Sequence, residues 1–270
     1  MRRTPLVTLT TDIGWAYAAQ MKAVLARRAP NARVVDIAHD VPPQGIREAA
    51  FLLGHIAPQF PPGTIHVAVV DPGVGGQRAP MAVRTSDGSF LIGPDNGVLS
   101  LACDALGGGT AVRLDAGTLV RSGRPSATFE GRDVFAPAAA ALASGRPFAR
   151  LGPVHELRRL TLPVPKRRAT TISGEVVHVD VFGNAITNIP TADLPAGVAR
   201  VSLRLGRFRA SAVPVWRTYE DGPLGALGVL GSSFGYLEVA SRNRSAARRA
   251  RIAPGARVTV GWSARGGARK

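Results

Sequence analysis

The sequence predicts an α/β amino-terminal domain with a mainly parallel sheet, followed by a smaller antiparallel β domain. Three observations support this. Strand-like and helix-like segments alternate through the first ~160 residues, the pattern of an α/β layer. A stretch rich in Pro, Thr and Arg, "LRRLTLPVPKRRATTISG", reads as a linker near residues 161–171. Beyond it, short segments of alternating polarity are separated by Gly and Pro turns, as in a small barrel or sandwich. The domains are accordingly placed at residues 1–165 and 170–270.

Each element follows from its local pattern. "PLVTLTTD" reads as a buried strand, and "WAYAAQMKAVLARR" as a helix with Ala18, Met21 and Leu25 on one face. "RVVDIAH" is a second strand and "IREAAFLLGHI" a second helix. "TIHVAVVD" is apolar almost throughout, as expected of a strand covered on both faces. "MAVRT" and "SFLIG" form a further pair of strands. "NGVLSLACDAL" and "DVFAPAAAALASG" read as helices, the second ended by Gly145 near Pro147. In the second domain "GEVVHVDVFGNAITNI", "ARVSLRLGRFRA", "GYLEVA" and "ARVTVGW" supply the strands. No internal repeat is seen, and "GGG" at 107–109 is too weak a signal for a phosphate loop.

Composition narrows the function classes. The chain has 270 residues, 45% of them hydrophobic, enough for a large core. It has no apolar run of about 18 residues, so no membrane span is expected. The opening "MRRTPLVTLTTD" reads as a first strand and not as a secretory signal. Cys103 is the single cysteine, which excludes an intrachain disulfide and a cysteine-built metal site. A cytoplasmic location is the expectation. The five histidines, His39, His55, His66, His155 and His178, show no metal-ligand spacing, so no metal is implied. The net charge of +16 is carried almost wholly by arginine, since Lys22, Lys166 and Lys270 are the only lysines. After Glu238 there is no acid, while Arg242, Arg244, Arg248, Arg249, Arg251, Arg257, Arg265, Arg269 and Lys270 follow. Such a tail can bind nucleic acid. It lacks the aromatic interleaving of a single-strand platform and any accompanying motif. It is therefore read as a solvated basic surface, and nucleic acid is not an expected partner.

In open α/β sheets, ligands bind outside the carboxyl ends of the strands. Three such ends carry polar residues: Thr11-Asp12-Ile13-Gly14, then Asp36, His39 and Asp40, then "VVDPGVGGQR" from Val69 to Arg78. Asp12 and Asp71 are expected to face one crevice. Asp12 has two open roles: a helix N-cap, or a carboxylate accepting two hydrogen bonds from the vicinal hydroxyls of a ribose. The glycine density of "DPGVGG" gives a tight loop whose backbone can approach a ligand closely. Asp71 and Arg78 at its two ends are either part of a site or a surface ion pair of little energetic worth. Asn96-Gly97 reads as a capping turn. In "TFEGRDVF", Arg132 and Asp133 open the following helix, and the Glu130 carboxylate is aimed at the crevice. His39 is the only histidine at the carboxyl end of a strand, and it is read as structural.

Seven motifs, "TDIG", "HDVPPQGI", "VVDPGVGGQR", "GPDNGVLS", "TFEGRDVFAPAAA", "VDVFGNAITNI" and "GYLEVA", occur in order across nearly the whole chain. Together they resemble the adenosine-forming S-adenosylmethionine hydrolases, or S-adenosylmethionine hydroxide adenosyltransferases, whose superfamily includes the bacterial fluorinase and chlorinase. The resemblance implies an α/β domain, a carboxyl-terminal β-barrel, and a homotrimer with substrate between neighbouring subunits. It implies hydrolysis of S-adenosylmethionine to adenosine and methionine with no cofactor. By resemblance, Asp12 holds the ribose hydroxyls, Asp180 contacts the methionine ammonium, and Phe182 and Asn184 border and hydrogen-bond the adenine. Ser233 contacts the methionine carboxylate, and the segment Arg242 to Ser245 lies by the adenine. Asp71 and Arg78 match two of the three residues around the attacking water.

Two departures stand out. The histidine of "TFHGRD" is Glu130 here, and "TDIGWAYAAQ" is shorter than the usual pattern after its glycine. The leaving group in such a reaction is a neutral thioether, so the site needs no general acid, only a held water and a proton acceptor. A carboxylate can accept that proton as a histidine can, so Glu130 is a working substitute for it. Two alternatives stay open: a halide-dependent adenosyltransferase, which the paired carboxylates Asp71 and Glu130 oppose by charge, and a non-catalytic ligand binder in which Glu130 only pairs with Arg132 or Arg78.

Overall fold

The computed structural model describes residues 4–119 and 125–263. Arg265, Arg269 and Lys270 of the basic tail lie outside the described residues. The chain divides into two compact units, Met1–Thr161 and Leu162–Lys270.

The first unit is built on β1 (Leu6–Thr11), α1 (Gly14–Arg28), β2 (Arg33–Ala38), α2 (Ile46–Ile56), β3 (Ile65–Val69), β4 (Pro80–Thr85) and β5 (Phe90–Pro94). It continues through α3 (Ser100–Ala105), β6 (Gly109–Arg113), α4 (Ala116–Leu119) and α5 (Ala136–Ala143). The sheet order is β2-β1-β3-β5-β4-β6. β1, β2, β3 and β5 run parallel, and β4 is antiparallel to β5 and β6. Side chains alternate between the two faces of β3 and its exit. Ile65, Val67 and Val69 pack with Met21, Leu25 and Ala138, while Ala68 and Val70 pack with Leu53, Leu99 and Ala102. Helices therefore cover both faces, which is why β3 is apolar at every position but His66.

Two predicted helices differ in detail. α3 begins later than its apolar pattern, because Asn96 folds residues 96–99 into a turn. Its Oδ1 accepts from Val98 N at 3.1 Å and its Nδ2 donates to Val70 O at 2.8 Å. The helix expected over residues 133–145 instead opens with a π-helical turn, Gly131–Phe135, before α5. Pro137 has no N–H to give residue 133, so the α-helical ladder cannot run through this point. β6 was not anticipated. Gly107 and Gly108, with φ of 85° and 80°, form the turn into it.

The second unit contains β7 (Lys166–Arg167), β8 (Thr171–Val179), β9 (Ala185–Pro190), β10 (Arg200–Leu205), β11 (Phe208–Pro214), β12 (Leu227–Gly231), β13 (Tyr236–Ser241), α6 (Ala246–Ala250) and β14 (Arg257–Gly261). The order is β11-β10-β14-β8-β9-β13-β12, with β7 paired to β8. Adjacent strands are antiparallel, and a bridge between Val215 and Val229 brings the two ends of the path together, so the sheet is nearly a barrel. Val201, Leu203 and Leu205 of β10 point inward and Arg200, Ser202 and Arg204 outward, as the period of two requires. β12 and α6 were not anticipated from sequence.

Among the described residues no helix is long and apolar enough to cross a membrane, and no group of three His, Cys, Asp or Glu could hold a metal ion.

His66 on β3 lies opposite Thr8 of β1, whose Oγ1 is 2.8 Å from His66 Nδ1. Burial lowers the His66 pKa from 6.5 to about 4. The unfolded chain therefore takes up a proton below about 6.5 that the folded protein refuses until about 4, so folding stability is full above this window and falls as pH drops through it. The loss should approach roughly 3 kcal/mol at the bottom of the window. Denaturant titrations of wild type and His66→Leu between pH 7 and 4 should show a steeper decline for wild type.

Candidate active site

The first group of site residues forms at the carboxyl edge of the parallel strands. Thr11 is in register with Val69, so Asp12 and Asp71 leave adjacent strand ends. Asp12 Oδ2 accepts from Gln44 N at 2.8 Å. The N-cap position of α1 is Ile13 and no side chain caps it, so Asp12 is not a capping residue. Its Oδ1 is bonded to nothing among the described residues.

The loop after β3 folds Arg78 back onto Asp71. Arg78 Nε donates to Asp71 Oδ1 at 3.0 Å and Nη2 to Oδ2, a bidentate fork. Arg78 Nη1 lies 2.6 Å from Glu130 Oε2. That last contact is an ion pair outside hydrogen-bond geometry, and Oε2 is buried with no hydrogen-bond partner. The side chains of Asp71, Arg78 and Glu130 are 5%, 9% and 17% exposed. This is a buried cluster and not a surface pair. Removing one partner from such a pair typically costs about 3–5 kcal/mol. Burial alone would lower the Arg78 pKa, but the hydrogen bonds to Asp71 and the negative charges of Asp71 and Glu130 outweigh it and raise the pKa. Arg132 is engaged elsewhere. It donates to both oxygens of Asp133, at 2.7 and 2.9 Å, and its guanidinium lies 5.4 Å from the Phe129 ring centre. Glu130 therefore pairs with Arg78 and not with Arg132.

Backbone packing brings these segments together. Gly75, with φ of 74°, lies against the turn before Glu130, and a Cβ there would stand 2.2 Å from Ala127 O. Around this cluster are aromatic residues that the sequence reading did not single out. Trp15 and Tyr17 are exposed large side chains on α1, and Tyr17 packs edge-to-face on Phe129 at 5.3 Å.

The second group lies in the other unit, in an open cleft of about 1520 Å³. Asp180, Phe182, Asn184 and the segment Arg242 to Ser245 all line it. Asp180 organises its own turn: Oδ1 accepts from Phe182 N at 3.0 Å and Asn184 N at 2.8 Å, and Oδ2 from Asn184 Nδ2 at 2.9 Å. Phe182, with its neighbours so held, is 76% exposed. Gly183 is required for close approach, since a Cβ would meet Ser245 Oγ at 2.0 Å. Tyr219 also lines the cleft and donates to Glu238 Oε1 at 2.6 Å. Burial raises the Glu238 pKa, as does the charge of Asp180, while the Tyr219 bond opposes the rise. Tyr219 had no local sequence signal, because its partner is 19 residues away. Ser233 stands apart from this group. It sits in the exposed turn between β12 and β13, at the opposite end of β13 from Ser241, and does not line the cleft.

Residues 7–152 match the SAM hydroxide adenosyltransferase N-terminal domain, and residues 174–259 match the C-terminal domain. The chain belongs to the SAM hydroxide adenosyltransferase family. It is 43% identical to the (R)-S-adenosyl-L-methionine hydrolase of Salinispora arenicola, over 97% of this chain and 100% of the relative. It is also 43% identical to the hydrolase of that name from Thermus thermophilus, over 87% of this chain and 89% of the relative. A fluorinase from an Actinoplanes species is 27% identical over 95% of this chain and 97% of its own length. A crystal structure of a Thermotoga maritima protein superposes with a TM-score of 0.87 at 33% identity, covering 94% of this chain and 99% of the other.

Gly75→Ala should separate the loop from Ala127, combining a disfavoured φ with a backbone clash. We expect a loss of roughly 1–3 kcal/mol in denaturant unfolding, whereas Gly88→Ala, also at positive φ but with no atom within 4 Å of the added Cβ, should cost less.

Proposed function

We propose that this protein hydrolyses S-adenosyl-L-methionine to adenosine and L-methionine by attack of water on the ribose C5′. The observation that carries the proposal is the buried Asp71–Arg78–Glu130 cluster. Asp71 holds Arg78 by two bonds and turns Nη1 onto Glu130. Glu130 Oε2 faces the arginine, and Oε1, hydrogen-bonded to nothing among the described residues, is left to accept a proton from water. The water oxygen forms the new bond to C5′, the C5′–S bond breaks with its electron pair going to sulfur, and the sulfonium becomes the neutral thioether of methionine. The proton passes to Glu130. A neutral leaving group needs no acid, and no cofactor is needed because the substrate carries its own activated carbon.

Charge argues for water over halide. Two carboxylates and one guanidinium sum to one negative charge, which attracts a sulfonium and repels a chloride or fluoride ion. The greater similarity to hydrolases than to fluorinases points the same way. Asp12, with Oδ1 free, suits the ribose hydroxyls, and the cleft bearing Phe182 and Asn184 suits the adenine.

Incubation with S-adenosylmethionine in chloride buffer, followed by chromatography, should give adenosine and methionine. A 5′-halogenated adenosine in their place would overturn the assignment. Glu130→Gln keeps the side-chain size and removes the base, and should lower turnover by roughly 10²-fold or more with little change in affinity. Glu130→His should retain or raise activity.

We further propose a homotrimer in which the cluster of one subunit and the adenine cleft of its neighbour complete one site. The support is that the two groups lie in different units of the chain. Mixed trimers of Asp12→Ala and Asn184→Ala subunits should regain activity absent from either parent. A fully active monomer by light scattering would defeat the idea.

A further inference from the structure

Asp12 is flanked on both sides by residues bonded to a single histidine that the reaction does not use. On one side Thr11 Oγ1 lies 2.9 Å from His39 Nδ1. On the other, Gly14 N donates to the His39 carbonyl at 3.0 Å. His39 is itself fixed: Nε2 is 2.9 Å from Asp36 Oδ1, and Lys22 Nζ donates to Asp36 Oδ2 at 2.6 Å. His39 is 2% exposed, and the Trp15 ring packs edge-on against it at 4.7 Å. Two further bonds close the arrangement, from Val41 N to Thr11 O at 3.3 Å and from Gln44 N to Asp12 Oδ2 at 2.8 Å.

The proton directions follow from the ends of the chain. Burial pushes the Asp36 carboxyl up, but hydrogen bonds from Lys22 and His39 outweigh this and hold it below the usual value. An ionised carboxylate only accepts, so His39 Nε2 carries the hydrogen. In the neutral ring Nδ1 is then an acceptor, and the Thr11 hydroxyl donates to it. Lys22 orients Asp36, Asp36 sets the tautomer of His39, and His39 sets the rotamer of the residue next to Asp12. Gly14, with φ of 72°, lets the chain turn back so that its N–H reaches the same histidine.

We propose that Lys22, Asp36 and His39 form a positioning network that fixes the Asp12 carboxylate in the orientation needed to hold the two ribose hydroxyls. The proposal rests on the reading of Asp12 as the ribose-binding acid. None of the three touches the ligand, and each acts through Thr11, Gly14 and Asp12. A histidine serving only to fill the core would stabilise the fold without any preference for a ligand hydroxyl.

The test compares adenosine with 2′,3′-dideoxyadenosine by calorimetry in wild type, Thr11→Val, His39→Leu, His39→Gln and Asp12→Ala. Wild type should bind adenosine more tightly. Thr11→Val removes the hydroxyl without changing volume, so it tests the link even where His39→Leu folds poorly. In Thr11→Val and His39→Leu, affinity for adenosine should fall about tenfold, the scale of one hydrogen bond, with affinity for the dideoxy compound unchanged. His39→Gln, which keeps one bond, should recover part of the loss. In an Asp12→Ala background Thr11→Val should have no further effect. Equal losses for both nucleosides, no loss for either, or a loss that persists without Asp12 would overturn the network. If wild type itself fails to prefer adenosine, the ribose role of Asp12 falls and the proposal falls with it. A preference in wild type that survives Thr11→Val overturns the network alone.

Discussion

Arg78 is the interaction on which the candidate site depends. Asp71, seven positions earlier at the start of the same loop, grips it by two bonds, and its third nitrogen reaches a residue more than fifty positions away. The fork geometry of guanidinium makes this possible, because one planar group presents donors in two directions. Lysine could neutralise one carboxylate but could not hold both in fixed relation. With Arg78 in place, the cluster carries one net negative charge in a region shielded from water. In the proposed reaction that single charge favours a cationic sulfonium over an anionic halide. It also sets which Glu130 oxygen faces the protein and which faces outward.

The surrounding architecture serves this cluster in two ways. Parallel pairing of β1, β2 and β3 delivers Asp12, His39 and Asp71 to one edge of the sheet without any loop having to reach across it. Close backbone approaches do the rest. Gly75 against Ala127 brings the loop after β3 to the turn that precedes Glu130, and Gly183 against Ser245 brings the turn at Phe182 to the start of α6. At both places a side chain would occupy the space of another residue, so the glycines act by absence of volume as well as by positive φ. The π-helical turn at Gly131–Phe135 is an irregularity imposed by Pro137, and it lies immediately beside Glu130. π-helical turns of this kind recur at functional sites.

Much of the fold was legible because hydrophobic period reports which face of an element is buried. α2 occupies the residues its 3.6-residue pattern marked, and β10 shows a strict alternation. What escaped were elements too short or too glycine-rich to carry a period. β6 begins in "GGG", β12 is "LGVLG", and α6 is five residues stabilised by the Ser245 cap, whose Oγ accepts from Arg248 N at 3.0 Å. At the candidate site, residue types and motif order named Asp12, Asp71, Arg78, Glu130, Asp180, Phe182 and Asn184. Trp15, Tyr17, Lys22 and Tyr219 gave no signal, and Asp36 and His39 were marked only as polar residues at a strand end, without the chain that joins them to Lys22 and Thr11. Their partners are set by strand register and by contacts between distant segments, and spacing along the chain does not encode these.

By itself the sequence determined the order of the strongly patterned strands and helices, the change of architecture after the first ~160 residues, and the chemical groups available to the site. These depend on local periodicity and on residue identity, which a linear chain carries in full. Only the tertiary structure decided that Glu130 pairs with Arg78 rather than with its near neighbour Arg132. Nor could the sequence alone show that the Asp71–Arg78 pair is buried rather than solvated, that Asp12 is no helix cap, or that Ser233 lies away from the cleft. Each of these is a question of which of several possible partners is nearest and whether water can reach it. Both answers arise from the packing of segments far apart in sequence, since burial and partner choice are properties of the folded surface and not of the chain.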